Sequence, residues 1–145
     1  MTPSTEKAIQ AAWDLEQIRQ LKARYCRFID TGDWKGYRTL FSDNFEAIIE
    51  EGKPPFVTTG DAYVAFAEKF FAGNTGSRHQ VHMEEIHLTS DHTATGVWPF
   101  YEYVEWPTRP KLDSYGYYNE EYDKGSDGKW RIRRLRIQPH SIMGR

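Results

Sequence analysis

The hydrophobic positions in the first third of the chain recur at the spacing of an amphipathic helix. Within residues 12–30, apolar side chains stand three or four positions apart, at Leu15, Ile18, Leu21, Tyr25, Phe28 and Ile29. This period predicts a long α-helix with one buried face. Asp33 can cap a second helix over DWKGYRTLFS, and Asp61 is the expected N-cap of a third helix over about residues 61–72.

Strand signals occupy most of the remaining chain. NFEAIIEE predicts a strand that ends at Gly52 and the Pro54-Pro55 break, and FVTTG predicts a short extended segment. Further strands are expected in SRHQVHMEEIHLTS, TATGVWPFYEYVEW, DSYGYYNEEYDK and KWRIRRLRIQPHS, with turns at Ser90-Asp91, Pro107–Pro110 and GSDG. Three helices followed by a long antiparallel meander predict an α+β fold. A strongly bent sheet wrapped around the N-terminal helices would form a cone-shaped barrel with a pocket inside.

The composition describes a small chain with many aromatic rings. At 145 residues, without repeats, low-complexity tracts or linkers, a single domain over residues 1–145 is expected. The net charge of −2 gives no reason to expect nucleic acid or an acidic membrane as a partner. Aromatic residues make up 15% of the chain, and so many rings suggest a cavity wall or an interface as well as a core.

Several kinds of chemistry lack support in the sequence. The single cysteine, Cys26, excludes an internal disulfide and a cysteine-based zinc site, and it is expected to be a small buried hydrophobe. Without a long apolar run or a signal peptide, a cytoplasmic protein is expected. In a regular strand His79 and His82 point to opposite faces, so they make poor joint metal ligands. Glycine-rich nucleotide motifs are absent from the sequence, and neither a metal nor a cofactor is predicted.

Strand alternation identifies polar residues that share a face with the core. The even positions from 96 to 106 are apolar except for Glu102, which places this carboxylate on a buried or cavity-facing side. The odd positions of the same segment are also largely apolar. Two readings of Glu102 therefore remain open, a cavity-facing acid and an edge carboxylate paired with an arginine.

The same test separates two histidines in the preceding strand. His79 shares its phase with Val81 and Met83, so His79 is expected to point inward and His82 outward. The phase reverses further along, which predicts a bulge near Glu84-Glu85. A lone inward histidine is either a satisfied core residue or a catalytic one.

Three more polar residues have two readings each. Tyr25 lies on the apolar helix face and serves either the core or a cavity. Asp30 stands at the helix C-terminus, where a carboxylate faces the negative end of the dipole; it either caps the next helix or turns into the interior. Arg134 is in phase with Trp130 and Ile132, which points it inward unless a bulge places it outside with the neighbouring basic residues.

Four segments together resemble the SnoaL-like branch of the nuclear-transport-factor-2-like superfamily. They are IRQLKARYCRFIDTGDW, LFSDNF, SRHQVHMEEIHLTSDHTATGVW and GYYNEEYDKGSDGKWRI, and the likeness runs from about Trp13 to Ile137. The resemblance implies helices packed into a strongly bent antiparallel sheet. It does not define a reaction, because this fold hosts many functions.

Single residues also match enzymes of this superfamily. Asp30 and the following TGDW resemble a scytalone dehydratase pattern, and Asp30 with His79 resembles the Asp–His pair of lindane dehydrochlorinase and bile-acid dehydratase relatives. In those families the helix-end aspartate orients a histidine that removes a proton. Tyr25 matches the bile-acid dehydratase tyrosine in its spacing, and Glu102 falls near their second acid. Scytalone dehydratase has a second histidine near the position of Trp98, which this chain lacks.

The leading hypothesis is a cofactor-free lyase, such as a dehydratase, or an isomerase. His79 would be the general base, Asp30 its orienting partner, Tyr25 a hydrogen-bond donor and Glu102 an acid. The substrate would be a small hydrophobic, aromatic or polycyclic compound, with contacts from Trp98, Phe100, Tyr117 and Arg134. The alternatives are a non-catalytic ligand-binding module and a scaffold resembling an oxygenase beta subunit. A homo-oligomer is expected, with a dimer favoured, because the outer sheet face is rich in aromatic and apolar residues.

Overall fold

A computed structural model of the chain describes residues 2–50 and 56–143, and the α+β class is confirmed. The helices in these residues are α1 (Pro3–Thr31), α2 (Trp34–Arg38) and α3 (Gly60–Phe71). The strands are β1 (Phe41–Ile49), β2 (Phe56–Thr59), β3 (Gly76–Val81), β4 (Glu85–Leu88), β5 (Thr93–Glu105), β6 (Leu112–Lys124) and β7 (Trp130–Met143). The predicted break at Gly52 and Pro54-Pro55 lies outside the described residues.

The seven strands form one curved sheet with the order β2-β1-β7-β6-β5-β3, and β4 pairs with the other end of β5. β1 runs parallel to β7, so the predicted all-antiparallel meander is corrected to a mixed sheet. The reason is that the last strand enters between β1 and β6, a long-range pairing that no local pattern specifies. The edge strands β2 and β3 do not pair with each other within the described ranges. The predicted barrel is therefore an open, curved sheet.

Helix α1 begins earlier than the hydrophobic period predicted. Thr2 caps it by accepting the Thr5 backbone N–H, and Pro3 occupies the first turn, where a missing N–H costs nothing. Its first residues are exposed, so they carried no apolar period. The helix ends at Gly32, whose left-handed φ of 69° closes it. Cys26 on this helix packs against the core, and burial raises the pKa of its thiol to about 11.

The two shorter helices correct the predicted boundaries. Asp33 caps α2 as expected, but Phe41 is the first residue of β1 rather than part of the helix. Thr59 holds the N-cap position of α3 without a side-chain hydrogen bond. Asp61, the predicted cap, lies in the first turn and pairs with Arg38 at 2.6 Å. No helix in the described part of the chain is both long enough and apolar enough to cross a membrane.

The inward phase of the strands follows the predicted alternation where the strands are regular. His79 is buried and His82 is exposed, as predicted. β3 and β4 both pair with β5. Residues 82–84 connect the two strands, whereas only residues 98 and 99 lie between their partners on β5, so the connection has one extra residue. Met83 absorbs this surplus with a φ of 47°, next to the predicted bulge at Glu84-Glu85. Even-numbered residues of β5 and β6 face the helices, which places Glu102 on the concave side.

Candidate active site

Asp30 and His79 are in direct contact where the last turn of α1 lies against β3. Asp30 Oδ1 accepts hydrogen bonds from His79 Nδ1 and from the Ser77 hydroxyl, both at 2.7 Å. Asp30 Oδ2 accepts the His79 backbone N–H at 3.0 Å. Three donors therefore offset the unfavourable position of the carboxylate at the helix end. Asp30 does not cap α2, because Asp33 holds that role.

This bonding defines the tautomer of His79. An ionised carboxylate can only accept hydrogen bonds, so Nδ1 carries the proton and the neutral ring has its lone pair at Nε2. The ring also packs edge-on against Phe71, with a centroid distance of 5.3 Å. His79 is thus held on two sides, and its basic nitrogen has a fixed direction.

Glu102 lies on the other side of the imidazole. It is the direct cross-strand partner of His79, and its Oε2 is 3.2 Å from His79 Nε2. Two lone pairs would repel each other at this distance, so one proton is shared between Nε2 and the carboxyl group. The pair is either imidazolium with carboxylate or imidazole with carboxylic acid. Of the two readings of Glu102, the cavity-facing acid matches this placement.

Burial and charge act in opposite directions on the titration of the site. Burial by itself would lower the pKa of His79, but the hydrogen bonds and charges of Asp30 and Glu102 outweigh it and raise that pKa above its ordinary value. Burial would raise the pKa of Asp30, but the hydrogen bonds from His79 and Ser77 lower it below its usual range. The protonated histidine is therefore stabilised by its two neighbours.

A pocket opens between the concave face of the sheet and the helices, and His79 and Glu102 line it. The enclosed interior of the pocket has a volume of about 80 Å³. The total empty space between the lining residues, including the open mouth, is about 660 Å³. The second figure includes open solvent and falls within the usual range of small-molecule sites, about 300–1,000 Å³. The interior alone is narrow, so a ring compound would extend toward the mouth. Apolar walls come from Ile29, Phe66, Phe70, Phe71, Leu112 and Ile137.

Tyrosine hydroxyls form the polar part of the pocket away from His79. The Tyr25 and Tyr63 hydroxyls are 3.2 Å apart, and Tyr37 donates to Tyr63 at 3.3 Å. Burial raises the pKa of Tyr63 to about 12 and holds the pKa of Tyr25 and Tyr118 well above its usual value. These phenols are therefore protonated donors at neutral pH.

Two further polar groups line the pocket, at Ser114 and Tyr118. The Ser114 hydroxyl is buried without a hydrogen-bond partner and lies in cross-strand register with Glu102. Tyr118 also lines the pocket, and burial keeps its phenol protonated. Unpaired polar groups in a pocket favour a ligand that carries oxygen or nitrogen atoms.

Two of the expected substrate contacts are core residues instead. Trp98 is buried and donates its indole N–H to the Tyr122 hydroxyl at 2.8 Å. Phe100 stacks on Tyr118 with a centroid distance of 4.4 Å. Both have the predicted inward phase, but neither lines the pocket. The sheet bends over them, so its inward face is divided between the core and the pocket.

The other two expected contacts lie on the outer face of the sheet. Tyr117 is 40% exposed and packs against His140. Arg134 pairs with Glu46 and Glu121, both at 3.1 Å. A register shift opposite Glu121 reverses the phase of β7 at this point, so Arg134 is turned outward. The prediction that these two side chains contact substrate is corrected.

Sequence reasoning did not select Tyr63, Ser114 or Tyr118. Tyr118 shares the inward phase of β6 with Ser114, and Tyr117 belongs to the opposite phase. Both phases of this strand contain tyrosines, so alternation alone was ambiguous. Tyr63 lies in the helical segment 61–72, and only the packing of α3 brings it to Tyr25. Within the described ranges, no group of three or more His, Cys, Asp or Glu could hold a metal ion.

The fold is shared with several solved structures. A candidate scytalone dehydratase from Novosphingobium aromaticivorans superposes with a TM-score of 0.85 at 21% identity, over 95% of this chain and 91% of that one. A LinA-type hexachlorocyclohexane dehydrochlorinase from Novosphingobium barchaimii has a TM-score of 0.81 at 12% identity, over 95% and 94% of the two chains. A Mycobacterium tuberculosis protein of unknown function reaches 0.78 at 23% identity, over 99% and 79%.

A family model gives the more specific relationship. The model for the SnoaL-like domain matches residues 10–136, which include most of α1, strands β1–β6 and the first half of β7. All pocket-lining residues except Ile137 and Pro139 fall within the match. The resemblance seen in the four sequence segments is thereby confirmed. The chain belongs to the SnoaL-like domain family.

Proposed function

We propose that this protein is a cofactor-free lyase or isomerase that removes a proton from carbon in a small hydrophobic ring compound. The observation that carries the proposal is the bond from Asp30 to His79, whose ring lines a pocket. A buried histidine whose tautomer is oriented by Asp30, and whose second nitrogen faces the pocket beside Glu102, is an arrangement suited to general-base catalysis. A ligand-binding module or a scaffold could gain stability from such a pair but would not need the histidine to line a pocket.

His79 performs the first step. Nε2 takes a proton from a carbon beside a carbonyl group, and the C–H electron pair moves into an enolate. Asp30 stabilises the imidazolium that forms, because its carboxylate lies 2.7 Å from Nδ1. The same contact that raises the pKa of His79 above its ordinary value makes its neutral form a stronger base.

The enolate oxygen would be bound by the tyrosine hydroxyls. Tyr25 and Tyr63 present a paired hydroxyl site, and Tyr118 adds a third phenol to the pocket lining. Donors that are already oriented in an apolar pocket stabilise developing negative charge more than water does. In this proposal Tyr25 has the hydrogen-bond donor role of the leading hypothesis.

Glu102 supplies the acid in a dehydration. With the shared proton on Glu102, His79 is neutral and ready to accept the substrate proton. Glu102 then protonates the leaving hydroxyl, the C–O bond breaks and water forms. His79 afterwards returns its proton to Glu102 across 3.2 Å, so the site regains its starting protonation state. An isomerase would use the same base and return the proton to another carbon.

The pocket walls favour a substrate that is apolar apart from two oxygens. Phenylalanine side chains from α3 cover one wall, and polar groups occur at the His79–Glu102 end and at the tyrosines. A β-hydroxy ring ketone fits this distribution. The dehydratase and dehydrochlorinase names among the similar structures support an elimination.

The test separates proton abstraction from loss of water. Hydroxylated ring ketones incubated with the protein in D₂O are followed by NMR for deuterium at the α-carbon and for dehydration. Glu102→Gln is expected to keep the exchange and to slow dehydration by about 10²-fold or more, because only the acid is lost. Absence of exchange with wild-type protein across the ketone panel would contradict the proposal.

We also propose that the chain forms a homodimer through the outer face of β5 and β6. Tyr115 and Tyr117 are 49% and 40% exposed there, and exposed aromatic patches favour association. Light scattering at micromolar concentration is expected to give a mass above the monomer mass of 17.0 kDa. The double variant Tyr115→Glu, Tyr117→Glu is expected to give the monomer mass. A wild-type monomer would remove this expectation.

A further inference from the structure

A buried lysine lies behind the pocket. Lys22 is on α1, one turn before Tyr25, and its Nζ is 2.6 Å from Glu120 Oε1. The two side chains are 1% and 0% exposed. Within the described ranges Lys22 is the only lysine or arginine that is buried. Such pairs are expensive to desolvate and often add no net stability over apolar residues, so the fold alone does not account for this one.

The other N–H groups of Lys22 face aromatic rings. Its Nζ lies 3.9 Å from the ring centre of Tyr25 and 3.7 Å from that of Tyr118. A cation this close to a ring face is attracted by the π-electrons, and the attraction is stronger when both groups are desolvated. Tyr25 and Tyr118 line the pocket, whereas Lys22 does not. The lysine therefore contacts the pocket only through these two rings.

The positive and negative ends of the Lys22–Glu120 ion pair have different neighbours. Glu120 also accepts a hydrogen bond from Tyr122, whose hydroxyl accepts the Trp98 indole N–H. Neither Glu120 nor these two partners line the pocket. The positive end of the pair is thus in contact with the pocket tyrosines, and the negative end lies behind it among core residues.

This direction matters because two carboxylates lie at or beside the pocket: Glu102 lines it, and Asp30 is bonded to the pocket-lining His79. Asp30 and Glu102 flank His79, and either charge disfavours a second anion nearby. An oxygen that becomes negative at the tyrosine hydroxyls needs a compensating positive field. Lys22 is the buried cation placed to supply it.

We propose that Lys22 is a positioning residue that holds the rings of Tyr25 and Tyr118 and favours an anionic oxygen bound at their hydroxyls. The inference rests on the proposed function for the identity of that oxygen. It assigns a functional role to a residue that does not line the pocket, and it makes the Lys22–Glu120 pair part of the stabilisation of negative charge on the bound oxygen.

The test uses p-nitrophenol, a ring compound whose oxygen loses its proton near neutral pH with a change in absorbance. The pKa of the bound probe is measured in wild-type protein and in the double variant Lys22→Met, Glu120→Gln. Removing both charges avoids an unpaired buried carboxylate, which would threaten folding. The glutamine keeps an acceptor for Tyr122.

A matched control comes from a second, less deeply buried ion pair in the same fold, in which the Lys124 side chain is 13% exposed. Asp14 contacts Lys124 at 2.8 Å and accepts the Trp130 indole N–H at 2.9 Å, and none of the three lines the pocket. Asp14→Asn with Lys124→Met removes one charge of each sign, as the test variant does. Thermal melting of both double variants is the check that they fold before the probe is added.

The bound probe is expected to have a pKa about one pH unit lower in wild type and in the control than in the Lys22 variant. A purely structural role would weaken binding of both probe forms without changing that pKa. Equal bound-probe pKa values in all three proteins would overturn the inference. The measurement needs no turnover, so its outcome is independent of the deuterium-exchange test. The Lys22 inference can be wrong while His79 catalyses exchange, and it can be right while no exchange is found.

Discussion

His79→Ala is expected to reduce kcat/KM by about 10²–10⁴-fold on any substrate that wild-type protein turns over, because it removes the proposed base. His82→Ala is the matched control. It removes the same side chain three positions away, from an exposed site outside the pocket, and should leave kcat/KM roughly unchanged. The measurement is steady-state kinetics on the ketone that shows α-carbon exchange.

A loss of activity in His79→Ala must be separated from a loss of folding. The variant empties a buried site against Phe71 and leaves Asp30 without its ring donor, so thermal melting should show a lower Tm. Added imidazole is expected to restore part of the activity, since it can occupy the vacated space beside Asp30. Equal losses of turnover in His79→Ala and His82→Ala would contradict the assignment of the inward base.

Asp30→Asn is expected to lower kcat/KM by about 10²–10⁴-fold while the fold is retained. The asparagine has one acceptor oxygen where the carboxylate accepted three donors from Ser77 and His79. Its amide N–H₂ favours the wrong tautomer of His79, and the charge that stabilises the imidazolium is lost. Unfolding in urea should show a loss of about 1–3 kcal/mol, because a buried donor loses its partner.

The same variant changes the titration of His79. The wild-type pKa is raised by Asp30 and Glu102 despite burial, so removing the Asp30 charge should lower it. A histidine NMR titration follows this directly, and the basic form should appear at lower pH in the kcat/KM profile. An unchanged His79 titration would refute the pairing and, with it, most of the support for an enzyme.

The pH dependence of stability has a definite sign. The pKa of His79 is raised on folding, so its contribution is complete below the unfolded value of about 6.5 and is lost as pH rises through the folded value. The pKa of Asp30 is lowered, so its contribution is present above about 3.9 and is lost as pH falls through the folded value. The stability difference between wild type and Asp30→Asn should therefore be largest between roughly pH 4 and 6.5.

Local patterns were sufficient for much of the fold. The three-to-four spacing of apolar residues located the buried face of α1, and alternation placed His79 inward and His82 outward. These predictions succeeded because side-chain direction in a regular helix or strand depends only on the backbone period. The start of α1 was missed, since its exposed first turns carry no hydrophobic period.

Alternation failed where the backbone departs from regularity or where both faces are apolar. The register shift in β7 turned Arg134 outward, and β6 has tyrosines on both sides, so Tyr117 was chosen in place of Tyr118. A shift of one residue reverses every later side chain, and hydrogen bonds with neighbouring strands decide where it occurs.

The sequence by itself determined the elements, the inward histidine and, through resemblance, its pairing with Asp30. Only the tertiary structure placed Glu102 opposite His79, joined Tyr63 to Tyr25, set β1 parallel to β7 and buried Lys22 between two rings. The physical reason is the separation along the chain of the residues that interact. Periodicity follows from the geometry of a few consecutive residues, whereas a shared proton or a buried ion pair depends on the packing of elements that are distant in the chain.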